Sequence, residues 1–459
     1  MDRAPDPFAD RVAGLRATFA SGRTRPIEWR RHQLDGIARM MVEQEAALAA
    51  ALAEDLHKPL QEAWIAELSF IQGEAAYASK HVGRWAAPRR VRTPLVGQPG
   101  RSRLVPEPLG VALVIGAWNY PIQGTLGPLV GALAAGCCAV VKPSEVSAAT
   151  SHALARLLPQ YVDPDAVAVI EGGIDETTAL LGQHFDAILY TGNGTVGRIV
   201  MAAAAKHLTP VTLELGGKSP CIVTRQADLD AAARRIAWGK WMNAGQTCIA
   251  PDYLLVEKGL GSTMVERLRA QVKRMYGDDP KRSPDYARIV NERHLRRVAR
   301  YLETGRVAFG GEVDAADRYV APTVLVDVPP DAPVMTEEIF GPVLPSVEVA
   351  DLDEAIRWIV GRDTPLVLYV FGSSAEAESV VARTSAGQVC VNDTMMFMAV
   401  PELPFGGVGA SGTGAYTGSH GFRTFSHLKP VMHRGTMLDL DARYPPYTAA
   451  KLGLLRRLR

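Results

Sequence analysis

A thiol among small residues, with a carboxylate upstream of it, is the pair in this chain that could do covalent chemistry. Cys248 stands in Asn243-Ala244-Gly245-Gln246-Thr247-Cys248-Ile249-Ala250-Pro251, and Glu214 in Leu213-Glu214-Leu215-Gly216-Gly217-Lys218. The thiolate is the nucleophile, and a thiol of pKa ~8.5 is only a few per cent ionised near neutrality. Glu214, or a water it polarises, can take the proton. Glycines on both sides let a substrate carbonyl and a cofactor ring approach the sulfur closely. A free Cys in an apolar stretch is otherwise buried filler, and Cys137, Cys138, Cys221 and Cys390 read that way. No His lies near Cys248 in sequence, which disfavours a Cys-His hydrolase.

Other motifs point to a nucleotide. Gly192-Asn193-Gly194-Thr195-Val196-Gly197 follows the predicted strand 187–190 and precedes a helix, the context of a dinucleotide fingerprint. Its backbone N–H groups would receive a pyrophosphate. As an ordinary Rossmann unit it would make Glu214 the ribose-binding carboxylate. A competing site is Val141-Lys142-Pro143-Ser144-Glu145, where a strand end delivers a cation and an acid to the carboxyl edge of a sheet. In isolation that motif would be a turn. Gly116-Ala117-Trp118-Asn119-Tyr120-Pro121 likewise places an amide at a strand end, as an oxyanion donor or merely as a cap. Glu337-Glu338-Ile339-Phe340-Gly341-Pro342 sets two acids beside an aromatic ring.

Together these blocks, in this order across roughly residues 100 to 450, resemble the aldehyde dehydrogenases. The ending Gly421-Phe422-Arg423-Thr424-Phe425-Ser426-His427, then Arg443-Tyr444-Pro445-Pro446-Tyr447, with the short N-terminus, resembles the class 3 group. The resemblance implies Cys248 as nucleophile, Glu214 as general base, and Asn119 with the Cys248 N–H as oxyanion hole. It moves the adenosine ribose to Lys142 and Glu145, beside Ser144. It gives the nicotinamide ribose to Glu338, and places Phe340, Trp118, Gly192 and Gly197 against the cofactor. NAD is the expected cofactor, with NADP possible, since a carboxylate at Glu145 repels a 2′-phosphate. A substrate tunnel would use Tyr120, Met242, Ile249, Phe397 and Phe405, beside Met395, Met396 and Met398, although core packing explains the same residues.

The elements that must position these residues alternate. Helical spacing from about Glu28 to Trp85 predicts two long helices, and an Arg/Pro/Gly-rich arm follows, with extended segments around a turn near 101–110. Strand and helix signals then alternate from Val111 to Leu215 and again from Cys221 through Val391, which predicts two parallel sheets covered by helices. The glycine-rich run 403–414 reads as a loop that approaches something closely. The expected fold is α/β, aldehyde dehydrogenase-like, with two Rossmann-like domains and a small β oligomerisation flap. The cofactor domain would be 1–84 and 106–215, the catalytic domain 216–400, and the arm and C-terminal tail 85–105 and 401–459.

Composition bounds the rest. A net charge of +1 over 459 residues with no long basic run argues against nucleic-acid binding. No signal peptide is evident at the start, and the apolar run from Leu126 to Val141 is broken by Pro128, Gly131 and Gly136, so it reads as buried helix, turn and strand. Five scattered cysteines without Cys-x-x-Cys spacing fit reduced thiols in the cytoplasm and no metal site. The basic tail from Lys451 reads as a frayed end rather than a membrane anchor. The expected protein is a homodimer that oxidises a medium- or long-chain aliphatic or aromatic aldehyde. Its rivals are a coenzyme A-acylating enzyme and a non-catalytic protein on the same scaffold.

Overall fold

The computed structural model describes residues 7–437 and 439–457. Its first sheet runs Gly412–Thr413, Val211–Glu214, Ala187–Thr191, Val111–Ile115, Cys138–Lys142, Val167–Val169. All neighbours are parallel except the short Gly412–Thr413 strand. Every residue of Val111–Ile115 and of Cys138–Lys142 is buried, as parallel strands covered by helices on both faces require. In register, Ile115 pairs with Lys142 and Tyr190, and Thr191 with Glu214. The carboxyl ends of four strands therefore lie side by side, where open α/β sheets bind ligands.

The second sheet has seven strands, in the order Arg306–Phe309, Thr323–Val326, Val343–Val349, Tyr253–Glu257, Pro220–Val223, Val367–Phe371, Gln388–Val391. Only Arg306–Phe309 runs antiparallel. A third, antiparallel sheet joins Arg89–Val91, Gly100–Pro108 and Ser426–Arg434. The α/β class, the two parallel sheets and the small β flap agree with the expectation. Two placements cross the expected domain limits: the strand Gly100–Pro108 runs through residue 105, and Gly412–Thr413 joins the first sheet.

The N-terminal region differs from two long helices. It forms Ala9–Ala20, Ile27–Glu43, Glu45–Leu56, Leu60–Ala63, a π turn Trp64–Leu68 and Ser69–Trp85. Gln44 leaves helical geometry (φ −112°, ψ 17°), and His57 turns left-handed (φ +52°) before Pro59. The segment near 101–110 also lacks the expected internal turn, because pairing with Ser426–Arg434 keeps it extended as far as Pro108. The run from Leu126 to Val141 is a buried helix Gln123–Ala135, a left-handed Gly136 and the strand Cys138–Lys142. Among the described residues no helix is long and apolar enough to cross a membrane. The tail from Lys451 lies within the helix Ala449–Arg457; Leu458 and Arg459, like the first six residues, lie outside the described residues.

Candidate active site

Three consecutive left-handed residues, Asn243 (φ +52°), Ala244 (+51°) and Gly245 (+72°), bring the chain round from the helix Leu229–Trp241 to Cys248. Two of them are not glycine, so the turn holds strain that its surroundings must offset. Side chains do so. Asn243 Nδ2 donates to the carbonyls of Asn119 (2.9 Å) and Gln246 (3.2 Å), and Gln246 Nε2 donates to those of Asn243 (3.0 Å) and Arg288 (2.9 Å). Gln246 Oε1 accepts from the Val290 N–H at 2.9 Å. Asn119, beyond the end of the strand Val111–Ile115, donates its own amide to the Gln246 carbonyl at 3.0 Å.

Burial pushes the Cys248 thiol up to about 12, Glu338 and Glu214 reinforce the shift, and the N–H groups of Cys248 and Ile249 oppose it. Burial also raises the Glu214 carboxyl well above its ordinary range, and neither of its oxygens has a hydrogen-bond partner among the described residues. Glu338 is pushed up to about 7 by burial, then by Asp252, against a bond from the Gly217 N–H. A Cβ at Gly216 would overlap its carboxylate, so only glycine lets Glu338 lie against that loop.

These groups share one cavity of about 890 Å³. Lys142, Ser144, Glu145, Gly192, Trp118, Glu338 and Phe340 line it, as do Cys248, Glu214 and Asn119. Buried Lys142 bonds the Pro143 carbonyl (2.9 Å) and Glu145 (3.1 Å). The Gly192 N–H donates to the Glu214 carbonyl at 2.9 Å, and Asn193 caps the helix Gly194–Ala205 by accepting from Val196. Gly197 does not line the cavity. It lies against Leu213 and Leu215, where a side chain would hold the helix off the sheet. A helix start after Gly192, a cation beside an acid, and a second acid farther along fit an elongated dinucleotide.

On the substrate side, Tyr120, Met242, Ile249 and Phe405 line the cavity with Met395, Met396 and Met398, whereas Phe397 does not. The Tyr120 hydroxyl bonds Thr247 Oγ1 at 2.8 Å. The glycine-rich run approaches itself and the first sheet: Gly412 sits on the Leu213 carbonyl, and Phe405 and Tyr416 exchange backbone bonds across the cavity wall.

Sequence reasoning missed three residues. Arg297 donates to the carbonyls of Glu338, Ile339 and Phe340, which holds the loop that carries Glu338. His294 packs on Trp118 with ring centroids 4.9 Å apart and is pushed down to about 4 by burial and by Arg297 and Arg293. Tyr416 lines the cavity beneath Phe405. Arg297 and His294 sit on an ordinary amphipathic helix, where nothing in their spacing marks them. No group of His, Cys, Asp and Glu among the described residues is placed to hold a metal ion.

Residues 9–431 match the model of the aldehyde dehydrogenase family. The chain is 52% identical to aldehyde dehydrogenase family 3 member A2 of Mus musculus over 444 residues, covering 96% of this chain and 92% of the relative. It is 50% identical to the dimeric NADP-preferring aldehyde dehydrogenase of Canis lupus familiaris, covering 95% and 97%. The fold is similar to the substrate-bound Staphylococcus aureus AldH, with a TM-score of 0.95 at 39% identity over 100% of this chain and 99% of that one.

Proposed function

This chain belongs to the aldehyde dehydrogenase family and is class 3-like, and from that premise we infer how its site works and on what substrates. It oxidises an aldehyde with NAD(P). Cys248 Sγ attacks the carbonyl carbon while its proton passes to Glu214 directly or through water. The developing oxyanion takes the Cys248 N–H and the Asn119 amide hydrogen left over from the bond to Gln246. When bound in this cavity, the oxidised nicotinamide would supply the hydride acceptor. Loss of the aldehydic hydride leaves a thioester on Cys248. Once Glu214 has passed the thiol proton to solvent it deprotonates the water that cleaves the thioester, and this second proton restores the thiol as the acid leaves. Lys142, Ser144 and Glu145 hold the adenosine end, and Glu338 the nicotinamide ribose. The ammonium of Lys142 beside Glu145 offsets the repulsion of a 2′-phosphate, which supports use of both NAD and NADP.

The observation that carries this reading is the gathering of Cys248, Glu214, Asn119 and Glu338 on the wall of one cavity. Its Met-rich, aromatic inner wall supports medium- or long-chain aliphatic or aromatic aldehydes. The bare buried carboxylate of Glu214 favours water over coenzyme A as acceptor. We assign 1–84 and 109–215, with the strand Gly412–Thr413, to cofactor binding, 216–400 to catalysis, and the three-stranded flap to a homodimer like that named for the canine relative. Five free cysteines suit the reducing cytoplasm.

The test is reduced-nicotinamide formation by wild type and Cys248→Ser with hexanal, decanal, benzaldehyde, cinnamaldehyde and succinic semialdehyde, with either cofactor, with and without coenzyme A. Turnover of the apolar aldehydes that is lost in the variant supports the reading. Coenzyme A-dependent turnover would transfer it to the acylating class, and a narrow preference for the semialdehyde would overturn the substrate class.

A further inference from the structure

Behind Asn119 lies a buried charged pair that the chemistry above does not use. The side chains of Lys58 and Glu67 are both 0% exposed, with Nζ 2.5 Å from Oε1. The same ammonium donates to the Asn119 carbonyl at 3.1 Å and lies 4.1 Å from the centre of the Tyr120 ring. The other Glu67 oxygen accepts from the N–H groups of Ile122 (2.8 Å) and Gln123 (3.2 Å), at the start of the helix Gln123–Ala135. Glu67 sits in the π turn Trp64–Leu68, and such an insertion re-aims the residues that follow it around a helix. A second acid on this segment, Glu62, accepts from the Asn243 N–H at 2.9 Å, and Asn243 in turn bonds the Asn119 carbonyl.

Residues 58–67 thus grip both walls of the site, the Asn119 loop through Lys58 and Glu67 and the strained Cys248 turn through Glu62. A buried ion pair is a poor device for stability alone, because desolvation of both charges offsets their attraction. What it does supply is charge-assisted bonds of fixed direction. Oxyanion donors are effective only when held in place before charge develops.

We propose that Lys58 and Glu67, with Glu62 behind the Cys248 turn, are positioning residues that set the Asn119 amide against Cys248 without touching substrate or cofactor. The inference rests on reading Asn119 as an oxyanion donor.

The test is the exchange Lys58→Met with Glu67→Gln. It removes both charges of the Lys58–Glu67 pair together and keeps an acceptor for the Ile122 and Gln123 N–H groups. It is made in wild type and in Asn119→Ala, and kcat, aldehyde KM, NAD dissociation constant and melting temperature are read in each. In wild type kcat should fall by about ten- to a hundredfold, with KM and NAD affinity changed less than about threefold. In Asn119→Ala the same exchange should cost less than about twofold more, because the interaction it disturbs is already gone. Unchanged kcat in the first background, or an equal loss in both, overturns the positioning role and leaves the Asn119 reading standing. If Asn119→Ala alone keeps wild-type kcat, the oxyanion reading fails and takes this inference with it. Should the double exchange not fold, Glu67→Gln alone is read by the same outcomes.

Discussion

The Asn119 side-chain amide donates to the Gln246 carbonyl at 3.0 Å, so a residue that follows a strand of the first sheet is tied directly to the loop that presents Cys248. One amide hydrogen makes that bond, and Asn119 lines the cavity. The bond fixes which way the amide points before any substrate arrives.

Asn119→Ala should therefore lower kcat by about 10²–10³, the scale of losing one oxyanion donor, while NAD affinity stays near wild type. Steady-state kinetics with titration of NAD binding checks this. A loss confined to NAD affinity would refute it.

Glu214→Gln keeps the shape of the site but removes the base. Because Glu214 takes the Cys248 proton as well as activating the water, reduced-nicotinamide formation should slow about 10²–10⁴-fold with no burst. Because burial holds the Glu214 carboxyl protonated above its ordinary range, and the charged form is the base, wild-type kcat should rise with pH through that raised pKa. Stopped-flow absorbance and a pH profile read both effects.

The Cys248 thiol at about 12 predicts slow alkylation in the free protein. At pH 7 iodoacetamide should react with it more slowly than with glutathione, and the rate should rise about tenfold per pH unit up to pH 9, as the thiolate fraction does. Mass-spectrometric labelling distinguishes it from the four buried cysteines.

Gly216→Ala puts a methyl group where the Glu338 carboxylate lies. The carboxylate must move, so KM for NAD should rise about tenfold while the melting temperature shifts by only a few degrees. Cofactor titration and thermal unfolding check this, and an unchanged KM would remove Glu338 from the ribose site.

Buried Glu74 accepts from the Gly418 N–H at 2.5 Å and is pushed up to about 7 by burial. A carboxyl with a raised folded-state pKa contributes stability that is fully present below its unfolded value of ~4.5 and is lost as pH rises through the folded one. Between pH 5 and 8 the wild-type melting temperature should thus fall by several degrees more than that of Glu74→Gln. Parallel slopes would show that Glu74 titrates normally.

Much of this protein was legible in its residues. Apolar runs such as Val111 to Ile115 and Tyr253 to Val256, alternating with helical spacing, pointed to parallel sheets, because strands covered on both faces read as near-continuous apolar runs. The thiol, the acids and the glycines could be named because local chemistry restricts which residue types serve. What strand order and long-range packing decided could not be read along the chain. Register alone puts Lys142 beside Ile115 and Thr191 beside Glu214. Gly197 looked like part of a phosphate loop until its neighbours Leu213 and Leu215 showed it packing a helix on a sheet, and Phe397 had the right type for the tunnel wall but does not line the cavity. Arg297, His294, Lys58 and Glu67 carry no local signature, since their roles arise from partners distant in sequence. Periodicity and composition specify which surfaces must be buried; which polar group meets which across the site follows only from the closed tertiary structure.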